Sequence, residues 1–125
     1  MPKRQVTTDG APAPSGAYSQ GIVAGDRLYL SGQGPYAPDG SLVTDSFEAE
    51  VRQVFANLAA VAAEAGGSLG DAVRIGVYLH DLADFDEMDA IYRQTLPEPR
   101  PARTTIQTAL PGFGIEVDAI IHLGD

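Results

Sequence analysis

Arg103 is the residue whose type and setting most suggest chemistry. It opens the uncharged run Thr104-Thr105-Ile106 behind a stiff approach, Pro99-Arg100-Pro101-Ala102. A guanidinium fixed at the start of a strand, in an otherwise acidic chain, makes a bidentate clamp for a carboxylate. An ordinary salt bridge to one of the 17 acidic residues is the competing reading. Other chemistries lack their residues. The chain has no cysteine, which excludes a thiolate nucleophile, a disulfide framework and a Cys-type zinc site. Two histidines, His80 and His122, are too few for a zinc or di-iron centre, so no metal is expected. No G-x-S-x-G elbow or P-loop occurs, and Gly32-Gln33-Gly34 runs into Pro35-Tyr36, which breaks a dinucleotide fingerprint. Asp84, Asp86, Glu87 and Asp89 form no calcium loop and read as a helix N-terminus favoured by the macrodipole.

The charge balance narrows the partners. In 125 residues, 17 acidic side chains stand against 8 basic ones, for a net charge of −9. The length suits one domain, residues 1–125, and the 44% hydrophobic and 20% charged composition is that of a globular chain. One lysine (Lys3) and seven arginines are a poor basis for neutralising phosphates, so nucleic acid is not expected. Acidity also repels small anions, and any that binds needs a local cationic feature. No apolar run approaches the roughly 18–20 residues needed to cross a bilayer, so no membrane is expected. Met1-Pro2-Lys3-Arg4-Gln5 has no apolar stretch behind its basic pair, which argues against a signal peptide and for a cytoplasmic protein.

The positioning elements follow from periodicity. Residues Asp9 to Gly16 read as an irregular entry segment. Tyr18 to Ser31 reads as a hairpin turning at Ala24-Gly25-Asp26, followed by loop signals at Gly32-Gln33-Gly34-Pro35 and Pro38-Asp39-Gly40. Val51, Val54, Phe55, Leu58, Val61, Ala62 and Ala65 form one stripe of period 3.6, predicting a helix over Phe47 to Ala65. Asp45 or Ser46 caps it and Gly66-Gly67 stops it. Val73, Ile75, Val77 and Leu79 alternate in a strand over Ala72 to Leu79. A second helix starts at Asp84 with Glu87 completing a capping box, and Pro97, Pro99 and Pro101 end it. Strands follow around Arg103 to Ala109 and Ile115 to Leu123.

The resulting order, ββ(β)–α–β–α–β–β, predicts an α+β mixed sheet with both helices on one face. Ile115, Val117, Ala119, Ile121 and Leu123 would meet the helices. The opposite faces, Glu116, Asp118, Ile120, His122 and Arg74, Gly76, Tyr78, His80, are neither cleanly polar nor apolar. Such faces suit burial against another subunit, and an oligomer is expected. A solvated face with one stray isoleucine is the alternative.

Four ordered stretches carry a resemblance: Gly16-Ala17-Tyr18-Ser19-Gln20-Gly21, Leu30-Ser31-Gly32-Gln33-Gly34-Pro35, Pro101-Ala102-Arg103-Thr104-Thr105-Ile106 and Ile115-Glu116-Val117-Asp118-Ala119. Together they resemble the signatures of the RidA/YjgF family of reactive-intermediate (enamine/imine) deaminases, over about Ala11 to Leu123. The resemblance implies a chorismate-mutase-like α+β fold, a homotrimer with clefts between subunits, and cofactor-free hydrolysis of 2-imino acids to 2-oxo acids and ammonia. It implies that Arg103 clamps the substrate carboxylate and that Glu116 orients the attacking water. Tyr18, Ser31 and Gly32 would contact or enclose the ligand, with Ser31-Gly32 as a β-bulge or tight bend the competing reading, and the Thr105 backbone N–H would bind the imine or the product carbonyl. The chain departs from the family where Thr105 replaces a frequent cysteine and Asp89 a frequent asparagine on the pocket rim. The stretches Arg93–Arg100 and Leu110–Gly114 also look shortened.

Three other functions compete. A non-catalytic module binding 2-oxo acids would need the same clamp. Ribonuclease activity runs against the −9 charge. Chorismate-mutase-like chemistry is fold analogy and would require further cations for a dianionic substrate, which the sequence pattern does not identify.

Overall fold

The computed structural model describes residues 2–124. The strands are β1 (Arg4–Val6), β2 (Gly21–Ala24), β3 (Arg27–Gln33), β4 (Ala72–Leu79), β5 (Ala102–Gln107) and β6 (Ile115–His122); the helices are α1 (Phe47–Glu64) and α2 (Phe85–Thr95). They form one six-stranded sheet in the order β1-β2-β3-β6-β4-β5. Only β4 and β5 pair in parallel, and α2 makes the crossover that a parallel pair requires. The expected α+β mixed sheet is present.

The periodic segments are where the pattern put them. In α1, the Ser46 hydroxyl accepts from the Ala49 N–H at 3.0 Å. The helix closes with Gly67 N–H donating to Ala62 and Gly66 N–H to Ala63, the two reciprocal bonds of a Schellman end, with Gly66 at φ +81°. Val51, Val54, Phe55, Leu58, Val61 and Ala62 are buried against Leu28, Ile75, Val77, Ile115, Val117 and Ile121, while Met88, Ile91 and Tyr92 bring α2 into the same core. Each large side chain so buried contributes about 1.5–3 kcal/mol. The inward parity of β6 is as read, with alternate residues buried from Ile115 to Ile121. No helix among the described residues is long and apolar enough to cross a membrane.

The optional third strand before the first helix is β1 at Arg4–Val6, a position the pattern does not give because three residues with only Val6 buried carry no alternation. Three expectations need correction. Asp84 makes no capping bond to α2. It closes a 3-10 turn over Leu82–Asp84, donating its N–H to Asp81, and that turn takes its own side-chain cap from Asp81. Strand β5 begins and ends earlier than Arg103 to Ala109. Strand β3 runs on through Gln33, where a loop was expected, by means of a bulge: Leu30 pairs with Ala119 and Gln33 with Val117, leaving Ser31-Gly32 as the irregularity. Within the chain both helices lie on one sheet face. On the other, Tyr29 and Ile106 are 46% and 44% exposed, and Tyr78, Glu116, Asp118 and Ile120 are half-buried.

Candidate functional site

The bulge in β3 serves Glu116. A Cβ on Gly32 would collide with the Glu116 carboxylate, so the strand bends there and carries a glycine. Tyr18, Gly32, Tyr36, Phe113 and Glu116 line one cleft of about 360 Å³. Burial holds the Glu116 carboxyl above the usual glutamate value, and the charge of Asp118, two residues along the same face, pushes the same way. Asp118 accepts a 2.9 Å hydrogen bond from the Tyr78 hydroxyl, which raises the tyrosine's own pKa. Gly76 leaves room for this pair, since a Cβ there would strike the Asp118 carboxylate.

The cleft walls are loops fastened by buried polar side chains that sequence reading passed over. Gln20 accepts from Thr8 N–H and donates to the carbonyls of Thr8, Ala11 and Pro12, fixing the entry segment. Asn57, fully buried in α1, donates to the Tyr36 carbonyl at 2.8 Å. Glu50 accepts the Gly114 N–H at 2.6 Å. A polar residue beside an otherwise apolar helix stripe was the available signal for Asn57 and Glu50. Ser31 does not line the cleft in this chain. Its hydroxyl donates to the Ser19 carbonyl at 2.6 Å and so steadies the segment bearing Tyr18.

Arg103 lies elsewhere. It pairs in register with Ile75, whose side chain is in the core, so it points to the helix side of the sheet. Glu116 is in register with Tyr78 and points to the opposite side. One chain therefore does not bring Arg103 and Glu116 together. The Arg103 guanidinium carbon sits 4.5 Å from the Tyr92 ring centroid and 5.4 Å from that of Phe85. Its NH1 donates to Asp89 Oδ1 at 2.8 Å, and Asp89 Oδ2 accepts from Arg93 Nε at 3.1 Å. The Arg103 bond is the foremost cause holding the Asp89 carboxyl below the usual aspartate value. Among the described residues the other N–H groups of Arg103 have no protein acceptor. Asp89, Tyr92, Arg93, Arg100, Pro101 and Arg103 line a second cleft of about 300 Å³.

Thr105 shares the Arg103 face of β5, and its hydroxyl is buried without a hydrogen-bond partner. Thr108 N–H bonds Leu79 O, so the alternation of amide directions along the strand turns the Thr105 N–H to the open edge of the sheet. The residues thus sort into two groups, Tyr18, Gly32 and Glu116 with Ser31 behind them, and Asp89, Arg103 and Thr105. Among the described residues no three His, Asp or Glu side chains are arranged to hold a metal ion.

Comparison with known proteins agrees with this architecture. The family model described as Endoribonuclease L-PSP matches residues 8–123. A RutC family protein of Pyrococcus abyssi is 38% identical over 125 residues, covering 98% of both chains. A 2-iminobutanoate/2-iminopropanoate deaminase of Dermatophagoides farinae is 33% identical over 123 residues, 96% of each. The crystal structure of RidA from an Antarctic Psychrobacter matches with a TM-score of 0.91 at 39% identity, over 96% of this chain and 99% of that one.

Proposed function

The chain belongs to the RidA/YjgF family, that of the Endoribonuclease L-PSP model, and from this premise we propose that it hydrolyses 2-imino acids of the 2-iminobutanoate/2-iminopropanoate class to 2-oxo acids and ammonia. The observation that carries the reading is the sorting of the site into a cationic half around Arg103 and a half built on a desolvated carboxylate, Glu116, on opposite sheet faces. We take the working unit to be a homotrimer in which the Arg103 half of one subunit faces the Glu116 half of its neighbour.

In this reading the substrate carboxylate takes the unshared edge of the Arg103 guanidinium, and the Thr105 N–H receives the reacting group at the sheet edge. Tyr18 and Gly32 close the site around Glu116. The protonated imine is already electrophilic, so orientation and a positioned base suffice without a cofactor. Glu116 accepts a proton as water adds to the imine carbon, giving a tetrahedral amino alcohol. It returns that proton to nitrogen, the C–N bond breaks, and the hydroxyl proton passes through Glu116 to the departing ammonia, leaving the 2-oxo acid and ammonium. General-base assistance of this kind contributes about 10²–10⁴-fold.

Ammonia release from freshly generated 2-iminopropanoate tests the reading. Arg103→Ala should lose activity by at least about 10²-fold while keeping its circular dichroism spectrum; full activity in that variant would sink the assignment. Saturable 2-oxo acid binding with no acceleration over buffer would make the protein a binding module. Salt-sensitive RNA binding would revive the ribonuclease reading, which the −9 charge disfavours.

A further inference from the structure

Three of the seven arginines in this acidic chain, Arg93, Arg100 and Arg103, line the single cleft that also holds Asp89. The sequence separates them, and the fold gathers them because α2 runs over the start of β5. Arg93 sits in the last turn of α2, four residues beyond Asp89 on the same helix face. Arg100 stands between Pro99 and Pro101 and donates from its NH2 to the Arg93 carbonyl at 3.3 Å, which holds it at the cleft. Asp89 bridges Arg93 and Arg103 with its two oxygens. Three guanidinium groups against one carboxylate leave the cleft with two positive charges in excess.

A ligand with one carboxylate cannot use that surplus. When it engages Arg103, the cleft still carries an uncompensated cation, and among the described residues Arg100 has only a neutral backbone carbonyl as its acceptor. A ligand with two acidic groups balances the cleft. We propose that Arg100, with Arg93 beside it, forms a subsite for a second carboxylate, so that the preferred substrates are 2-imino dicarboxylic acids of the four- and five-carbon class. The inference rests on the imine-hydrolysis reading for its chemistry, but the subsite is a binding property that can be measured without turnover.

The experiment compares kcat/KM for the imines of aspartate and glutamate with that for 2-iminopropanoate, in wild type, Arg100→Gln and Arg93→Gln, at low and high salt. Calorimetry with malonate and pyruvate on the same proteins gives the turnover-independent readout. The expected wild-type preference for the dicarboxylic imines is about tenfold or more, shrinking severalfold in Arg100→Gln and falling with salt. A merely structural arginine would lower both rates together and leave their ratio unmoved. A wild-type ratio of one or less, or a ratio indifferent to both substitutions, overturns the subsite even if 2-iminopropanoate is hydrolysed well. Failure to hydrolyse any imine, with malonate still binding more tightly than pyruvate and losing that advantage in Arg100→Gln, removes the proposed reaction and keeps the subsite.

Discussion

Gly32 and Glu116 are one unit: the missing side chain of the first is the space occupied by the carboxylate of the second. Gly32→Ala should therefore push Glu116 off its position and lower kcat roughly tenfold to a hundredfold with the fold retained, a combination that kinetics and circular dichroism together would reveal. In the proposed mechanism the acidic limb of the pH–rate profile belongs to Glu116. Burial first, and Asp118 second, raise its pKa, so the active carboxylate form is lost at a higher pH than for an ordinary glutamate. Asp118→Asn removes the second cause and should move that limb to lower pH, as kcat/KM measured from pH 4 to 8 would register. Stability responds with opposite signs at two carboxylates. Glu116, raised in the folded state, makes the protein less stable as pH rises from the ordinary glutamate value through its elevated one. Asp89, depressed in the folded state, contributes stability that is lost as pH falls below the ordinary aspartate value. Sequence alone left Arg103 between a ligand clamp and a salt bridge. The fold contains the salt bridge, to Asp89, and leaves part of the guanidinium unshared. That outcome depends on a side chain fourteen positions away, and local reading has no access to it.

Elements were legible wherever one face repeats. The α1 stripe, the alternation in β4 and β6 and the glycine stop at Gly66 each satisfy a local rule that packing then reinforces. Illegible parts were those decided by partners: β1, which exists because β2 offers it an edge, and the start of α2, where an extra 3-10 turn displaced the capping box. The loop fasteners belong to this second class. Asn57 is a polar side chain buried beside the apolar stripe of α1, and it holds the Gly34–Tyr36 loop that walls the Glu116 cleft. Asn57→Ala should leave the half-buried Tyr36 carbonyl without its side-chain donor, at a cost of about 1–3 kcal/mol in urea unfolding. It should also raise KM, because the wall it secures would loosen. Gln53, which donates to Asn57 Oδ1 at 2.9 Å on the same helix, should show a smaller effect of the same kind.

At the scale of the molecule, the sheet separates the two halves of the proposed chemistry. The composition had indicated that an anion would need a local cationic feature, and the fold supplies it as an arginine-lined cleft beneath α2. Half-apolar strand faces had indicated a partner, and the helix-free sheet face keeps Tyr29 and Ile106 open. If neighbouring subunits complete each other, Arg103→Ala and Glu116→Gln should each be inactive alone. Unfolded together and refolded at equal amounts, they should regain about a quarter of wild-type activity, the share of subunit contacts that pair an intact arginine with an intact glutamate. Recovery of no activity would place both groups in a site made by one copy. On the proposed reading, opposite-face placement also makes catalysis a matter of mass action. A chain that carried only half of each site would turn over nothing when alone, so rate per mole of protein should fall on dilution through the assembly constant and return on concentration.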